Sequence, residues 1–265
     1  HRSHGQLFLL TIRHQSMAAY VQRISTEYLS EWKKIQGRFV DIVHSNTVDD
    51  TVEIVYQYLP QLDLKRSHAP KAVLNLLASN PQVSEQTVRQ YLQYVYSLNP
   101  IVLLLLISFF KRHVQNERSV FSFLASYESH SIRQFSKDYA ENEIYGPDQL
   151  FKYIESNLQH AVLESEYGNA WTKINSSLLL AKSSVPSSEK YSDSSVPLVI
   201  ISIGLISLYG DIIGIKPNLN AIEAILADSL KPRTHEKAEI ESVLSALEQH
   251  QVLIHRPADE AFHLW

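Results

Sequence analysis

The chain has 265 residues, 45% of them hydrophobic, and a formal net charge of -4. That length can bury a substantial core in two or three packed units, while the slight acidity excludes capture of nucleic-acid backbone by overall charge and leaves only local patches for it. The lack of cysteine excludes disulfides, thiolate nucleophiles and cysteine metal sites and fits a reducing cytoplasm, and seven glycines, against about nineteen at ordinary usage, suit a helical protein with little material for phosphate-cradling loops.

The chain opens at His1 and its single methionine is Met17, which reads as a portion of a longer protein. No signal peptide is visible in the polar start and the brief apolar run after it. Residues 7–12 form a nearly uninterrupted apolar run, favoured as a buried strand of a parallel sheet. The run leads into Arg13-His14-Gln15-Ser16, and ligands settle at the carboxyl ends of such strands. His14 and Gln15 are therefore either ligand neighbours or caps of the next helix. Between residues 17 and 35, Tyr20, Ile24, Tyr28 and Trp32 recur every four residues, a helix pattern that Gly37 ends. Arg38 follows between Gly37 and Phe39, placed to reach a neighbour's phosphate or simply to be solvated.

Residues 48–59 predict a short helix carrying Val52, Val55, Tyr56 and Leu59, and residues 61–70 a polar loop. Helices are expected over 71–77 and 84–98, the second capped by Ser84 with Val88, Leu92 and Val95 on one face. Asn99-Pro100 breaks the chain before the apolar run 101–110, which Lys111, Arg112 and His113 close where cations suit a helix C-terminus. At ten residues that run falls short of the roughly 20 needed to span a membrane, as does 196–209, so both read as buried core. Gln115-Asn116-Glu117-Arg118 comes next, ahead of Phe121, Phe123 and Leu124. A charged group after a buried helix is poorly explained as core, which makes Arg118 the first candidate for a working residue, with a Glu117/Arg118 capping pair as the alternative.

Gly146-Pro147-Asp148 marks a helix start, followed by a helix over 170–182 and then by the serine-rich stretch 183–195, a domain boundary or mobile loop. The remainder has the order of a winged helix: a helix over 197–209, whose β-branched content also permits a strand, helices over 220–230 and 236–250, then strands 252–256 and 261–265. Residues 234–250 hold Glu236, Glu239, Glu241 and Glu248 against Lys237 alone. An acidic helix in the recognition position is repelled by phosphates, so the module is expected to meet protein rather than a major groove. Arg233 and Arg256 leave a small basic edge as weak support for nucleic acid.

Several motifs are missing from the sequence. It contains no G-x-x-x-x-G-K-[ST] loop, no G-x-G-x-x-G and no G-x-S-x-G. His235-Glu236-Lys237-Ala238-Glu239 lacks the second histidine of a zinc-protease helix, and no metal site is expected.

Three runs, Arg2-Ser3-His4-Gly5-Gln6-Leu7-Phe8-Leu9-Leu10-Thr11-Ile12-Arg13-His14-Gln15-Ser16, Glu31-Trp32-Lys33-Lys34-Ile35-Gln36-Gly37-Arg38-Phe39 and Gln115-Asn116-Glu117-Arg118-Ser119-Val120-Phe121-Ser122-Phe123-Leu124, resemble a group of very large bacterial P-loop ATPases of AAA+ or STAND type. Several of that group belong to anti-phage defence systems. The stretch from His255-Arg256 to His263-Leu264-Trp265 resembles the group's winged-helix end, so the likeness covers nearly the whole chain.

The resemblance implies a mainly α fold with minor β. Residues 1–60 would be the end of the ATPase core, 61–182 a helical lid, 183–195 a linker and 196–265 a winged helix. It also implies that the Walker elements lie upstream of His1. His14, Gln15, Asn116 and Glu117 would then sit near the nucleotide, with Arg38 and Arg118 as arginine finger or lid sensor. ATP and magnesium would be cofactors of the full-length protein, whereas this chain alone would bind neither and be inactive. Its expected partners are further subunits of the same ATPase in a cytoplasmic homo-oligomer, and a defence effector protein. The readings from other classes are a non-catalytic helical scaffold and a DNA-binding winged-helix regulator.

Overall fold

Residues 47–113, 120–138, 143–227 and 237–265 are described by the computed structural model, and they belong to one compact unit. The expected strand over 7–12 and helix over 17–35 lie outside the described residues.

The first helix, α1 (Val48–Tyr58), is started by a reciprocal cap. Thr47 Oγ1 accepts from the Asp50 backbone N–H at 3.1 Å while Asp50 Oδ2 accepts from the Thr47 N–H at 2.9 Å, so two of the helix's orphan donors are satisfied. The polar stretch 61–70 is not wholly loop, because β1 (Arg66–His68) lies within it. After α2 (Lys71–Ala78), Ser84 caps as expected, its hydroxyl accepting from the Thr87 N–H at 3.1 Å.

The helix expected over 84–98 nevertheless stops early. A single turn, α3 (Glu85–Thr87), widens into a π-turn at Val88–Leu92, and β2 (Tyr94–Tyr96) follows. The local reason is alternation: Val95 is fully buried between two half-buried tyrosines, a period of two that the helical spacing of Val88, Leu92 and Val95 concealed. β2 pairs antiparallel with β1.

Two helices buried almost all round form the centre. In α4 (Pro100–His113) every residue from Pro100 to Phe110 is buried, and in α10 (Ser195–Tyr209) only Val196, Pro197, Leu198 and Ser207 escape full burial. Helices apolar on every side have to be enclosed, and the others enclose them. They are α5 (Val120–Ala125), α6 (Ile132–Asp138), α7 (Pro147–Asn157), α8 (Gln159–Leu163), α9 (Gly168–Ser184), α11 (Leu219–Leu226) and α12 (Lys237–Gln249). α10 touches α4, α7, α9, α11 and α12. Trp171 of α9 is fully buried and stacks on Phe151 of α7 with ring centroids 4.7 Å apart.

Gly204, in the middle of α10, is required by this packing. A Cβ there would lie 2.5 Å from both Cγ1 and Cδ1 of Ile174 on α9. The serine-rich stretch 183–195 joins these two packed helices within the one unit. Glu239 Oε1 holds its end, accepting from the Ser192 N–H at 3.0 Å and from Ser195 Oγ at 2.5 Å.

The closing elements follow the expected order. α11 is shorter than the expected 220–230, and residues 228–236 lie outside the described set. After α12, β3 (Leu253–Arg256) and β4 (Ala261–Leu264) pair antiparallel, Leu253 opposite Leu264 and Arg256 opposite Ala261. The protein is thus mainly α, with two small two-stranded sheets among the described residues.

Candidate functional site

The residues expected to sense nucleotide, His14, Gln15, Arg38, Asn116, Glu117 and Arg118, lie outside the described residues. Three other places carry polar chemistry that packing alone does not explain.

One is the C-terminus of α4. The Arg112 guanidinium donates to the Leu208 carbonyl and to Asp211 Oδ2, and its carbon lies 4.6 Å from the Tyr167 ring centroid. Its side chain is only 13% exposed. A guanidinium holding a carbonyl, a carboxylate and an aromatic face together has little left for a phosphate. Arg112 is therefore a clamp between the ends of α4 and α10, a role that its reading as a helix-end cation did not reveal.

His113 beside it sits edge to face with Tyr167 and Tyr209, at 5.6 and 5.7 Å, and 5.0 Å from Phe109. Burial holds its pKa below the ordinary 6.5, the neighbouring Arg112 charge lowers it further, and a hydrogen bond with the Ala161 backbone opposes both. Its Nε2 and the Tyr209 hydroxyl are buried without a hydrogen-bond partner. Burial likewise pushes the Tyr209 phenol up.

A second place is exposed. The Tyr127 ring has the Arg133 guanidinium carbon at 4.6 Å and Lys137 Nζ at 4.1 Å. Arg133 is fixed by donating to the Ala125 carbonyl at 3.0 Å and to the Tyr58 hydroxyl at 3.3 Å. Hydrogen bonds from Arg133, then from Lys137, lower the Tyr127 pKa, because both cations favour the phenolate.

The third place is the closing group of helices and hairpin. α10, α11 and α12 touch one another, α10 also meets β4, and α12 meets β3. The Phe262 N–H donates to the Pro217 carbonyl at 2.9 Å, which ties the hairpin to the segment between α10 and α11. On α12, Ile240, Val243, Leu244 and Leu247 are buried, while Lys237, Glu241, Ser245 and Glu248 face outward. Glu239, half-buried, is spent on the serine-rich stretch, so the outward charge is carried by Glu241 and Glu248 against Lys237.

Among the described residues no group of His, Asp and Glu stands close enough to hold a metal ion, and no helix is long and apolar enough to cross a membrane. No family model, no curated protein and no solved structure matches the chain.

Proposed function

We propose that the chain is the carboxy-terminal part of a bacterial P-loop ATPase, of the kind found in anti-phage defence, acting in the cytoplasm as a homo-oligomer. On this reading Arg38 and Arg118 respond to the nucleotide, the helices within residues 61–182 form a lid, and a closing winged helix over 196–265 relays nucleotide state to a neighbouring subunit or a defence effector. ATP and magnesium would be held by phosphate-loop elements that this chain does not carry, with His14, Gln15, Asn116 and Glu117 nearby.

The observation that carries the reading furthest is the hydrogen bond from Phe262 to Pro217. A wing can transmit force only if it is tied to its helices, and this bond ties it to the link between the first two of them. The outward acids Glu241 and Glu248 favour a protein partner over a DNA groove, since carboxylates in the recognition position repel phosphates.

The test is ATP hydrolysis by the full-length protein, comparing wild type with Arg118→Ala and Arg38→Ala at matched folding and oligomeric state. Loss of a charge that stabilises the transition state lowers the rate roughly a hundredfold or more. Unchanged hydrolysis in both variants removes these arginines from the mechanism and leaves the helical scaffold as the better reading.

A further inference from the structure

The sheet formed by β1 and β2 presents side chains that no role above uses. Its register sets Arg66 opposite Tyr96 and His68 opposite Tyr94. By strand alternation these four side chains share one face, and Ser67 and Val95 share the other. Val95 is fully buried, so the first face is the outward one: Arg66 and His68 are exposed and both tyrosines half-buried.

The four groups form a stack. The Arg66 guanidinium carbon lies 4.0 Å from the Tyr94 ring centroid and 5.5 Å from that of Tyr96, and the His68 ring is 5.2 Å from Tyr94. The strand beneath is held in place, because the Tyr56 hydroxyl donates to the Tyr94 carbonyl at 2.6 Å. Lys65 and Lys71 flank β1 and are exposed. Among the described residues, the ion pairs involve none of Lys65, Arg66 and Lys71, and Asp63 is the sole carboxylate in the stretch 61–71.

We propose that this face binds single-stranded nucleic acid. Bases stack on the exposed planes of Arg66 and His68, which the tyrosines support from behind, and the backbone phosphates meet Lys65 and Lys71. Single strands fit because their base faces are free, whereas a duplex turns those faces toward each other and offers edges and phosphates instead. An acidic peptide would suit the cations but would leave the aromatic planes unused. Stacking is indifferent to base identity, so little sequence preference is expected. This inference stands apart from the ATPase reading, and either can fail alone.

The test is fluorescence anisotropy on the full-length protein, using labelled oligo-dT and oligo-rU of about twelve nucleotides and a duplex of equal length, with melting curves to establish that each variant is folded. Tighter binding of the single strands is expected, with an affinity falling as salt rises at a log–log slope near -2 for three cations. Arg66→Lys keeps that slope and weakens binding about tenfold, because charge survives and the stacking plane does not. Arg66→Glu weakens binding further, and Lys65→Gln/Lys71→Gln flattens the slope. Similar binding of oligo-dT and oligo-rU supports the shared chemistry, and a preference for oligo-rU supports it with RNA as the source. The inference is overturned if folded Arg66→Glu binds like wild type, if the duplex binds as well as the single strands, or if polyglutamate displaces the oligonucleotide as readily as unlabelled oligo-dT does.

Discussion

The side-chain nitrogen of Asn99 stands 3.0 Å from the carbonyl oxygen of Ala224, across the interior from the chain stretch that contains it. The same nitrogen lies 3.1 Å from the Ile225 carbonyl and 3.2 Å from that of Ala227, while Asn99 Oδ1 accepts from the Ile101 N–H at 2.8 Å. One buried amide thus caps the end of α11 and the beginning of α4. Helix ends leave backbone groups without partners, and here both ends face the core, where water cannot serve them. Replacing Asn99 with alanine strands these groups, each costing about 1–3 kcal/mol when buried and unsatisfied. Chemical denaturation should show a loss of roughly 3 kcal/mol, and a change below about 0.5 kcal/mol would contradict the double-cap role.

The approach of α10 to α9 at Gly204 gives a second expectation. Alanine is ordinarily the better helix residue by roughly 0.5–1 kcal/mol, yet Gly204→Ala should destabilise the protein by about 1–3 kcal/mol because its Cβ would press into the Ile174 side chain. Ile174→Ala by itself should cost about 2–5 kcal/mol through the cavity it leaves. In the double variant the new methyl enters that space, so the combined loss should fall below the sum of the single losses. Simple additivity in the denaturation midpoints would show that the helices do not meet as described.

His113 predicts a pH dependence whose sign follows from burial. Its folded pKa lies below the ordinary 6.5, so as pH falls through about 6.5 the unfolded chain takes up a proton before the folded one does. The stability contributed by neutral His113 is therefore fully present above pH 6.5 and lost as pH falls from there through the folded pKa. Thermal melting of wild type and His113→Gln, followed downward from pH 7.5, should converge as the wild type loses this advantage. Curves that stay parallel over the whole range would remove His113 as the cause.

How far the sequence could be read depended on how local each signal was. The cap at Ser84, the helix start at Pro147, the apolar runs of α4 and α10 and the closing order of helices and hairpin were legible, because each rests on residues within one or two turns of each other. β1 and β2 were not legible. Arg66-Ser67-His68 has no apolar alternation, and Tyr94-Val95-Tyr96 follows directly on a helical pattern, so each strand exists only because the other supplies its backbone partners. The candidate sites divide in the same way. Acidity on α12 could be read from composition, whereas the Arg112 clamp depends on Leu208 and Asp211, about a hundred residues away in sequence.

The sequence by itself determined a mainly helical protein with two apolar runs, 101–110 and 196–209, that are too short to span a membrane and so have to be buried in the core. Tertiary structure alone decided which polar groups close the core, which cation is spent holding helix ends and which are left facing outward. Asn99 and Arg112 border the apolar run 101–110 and Arg66 lies in the polar stretch 61–70, and local sequence reveals the role of none of them. What separates them, among the described residues, is the partner that folding brings: carbonyls for the first, a carbonyl, a carboxylate and a ring for the second, and aromatic faces for the third.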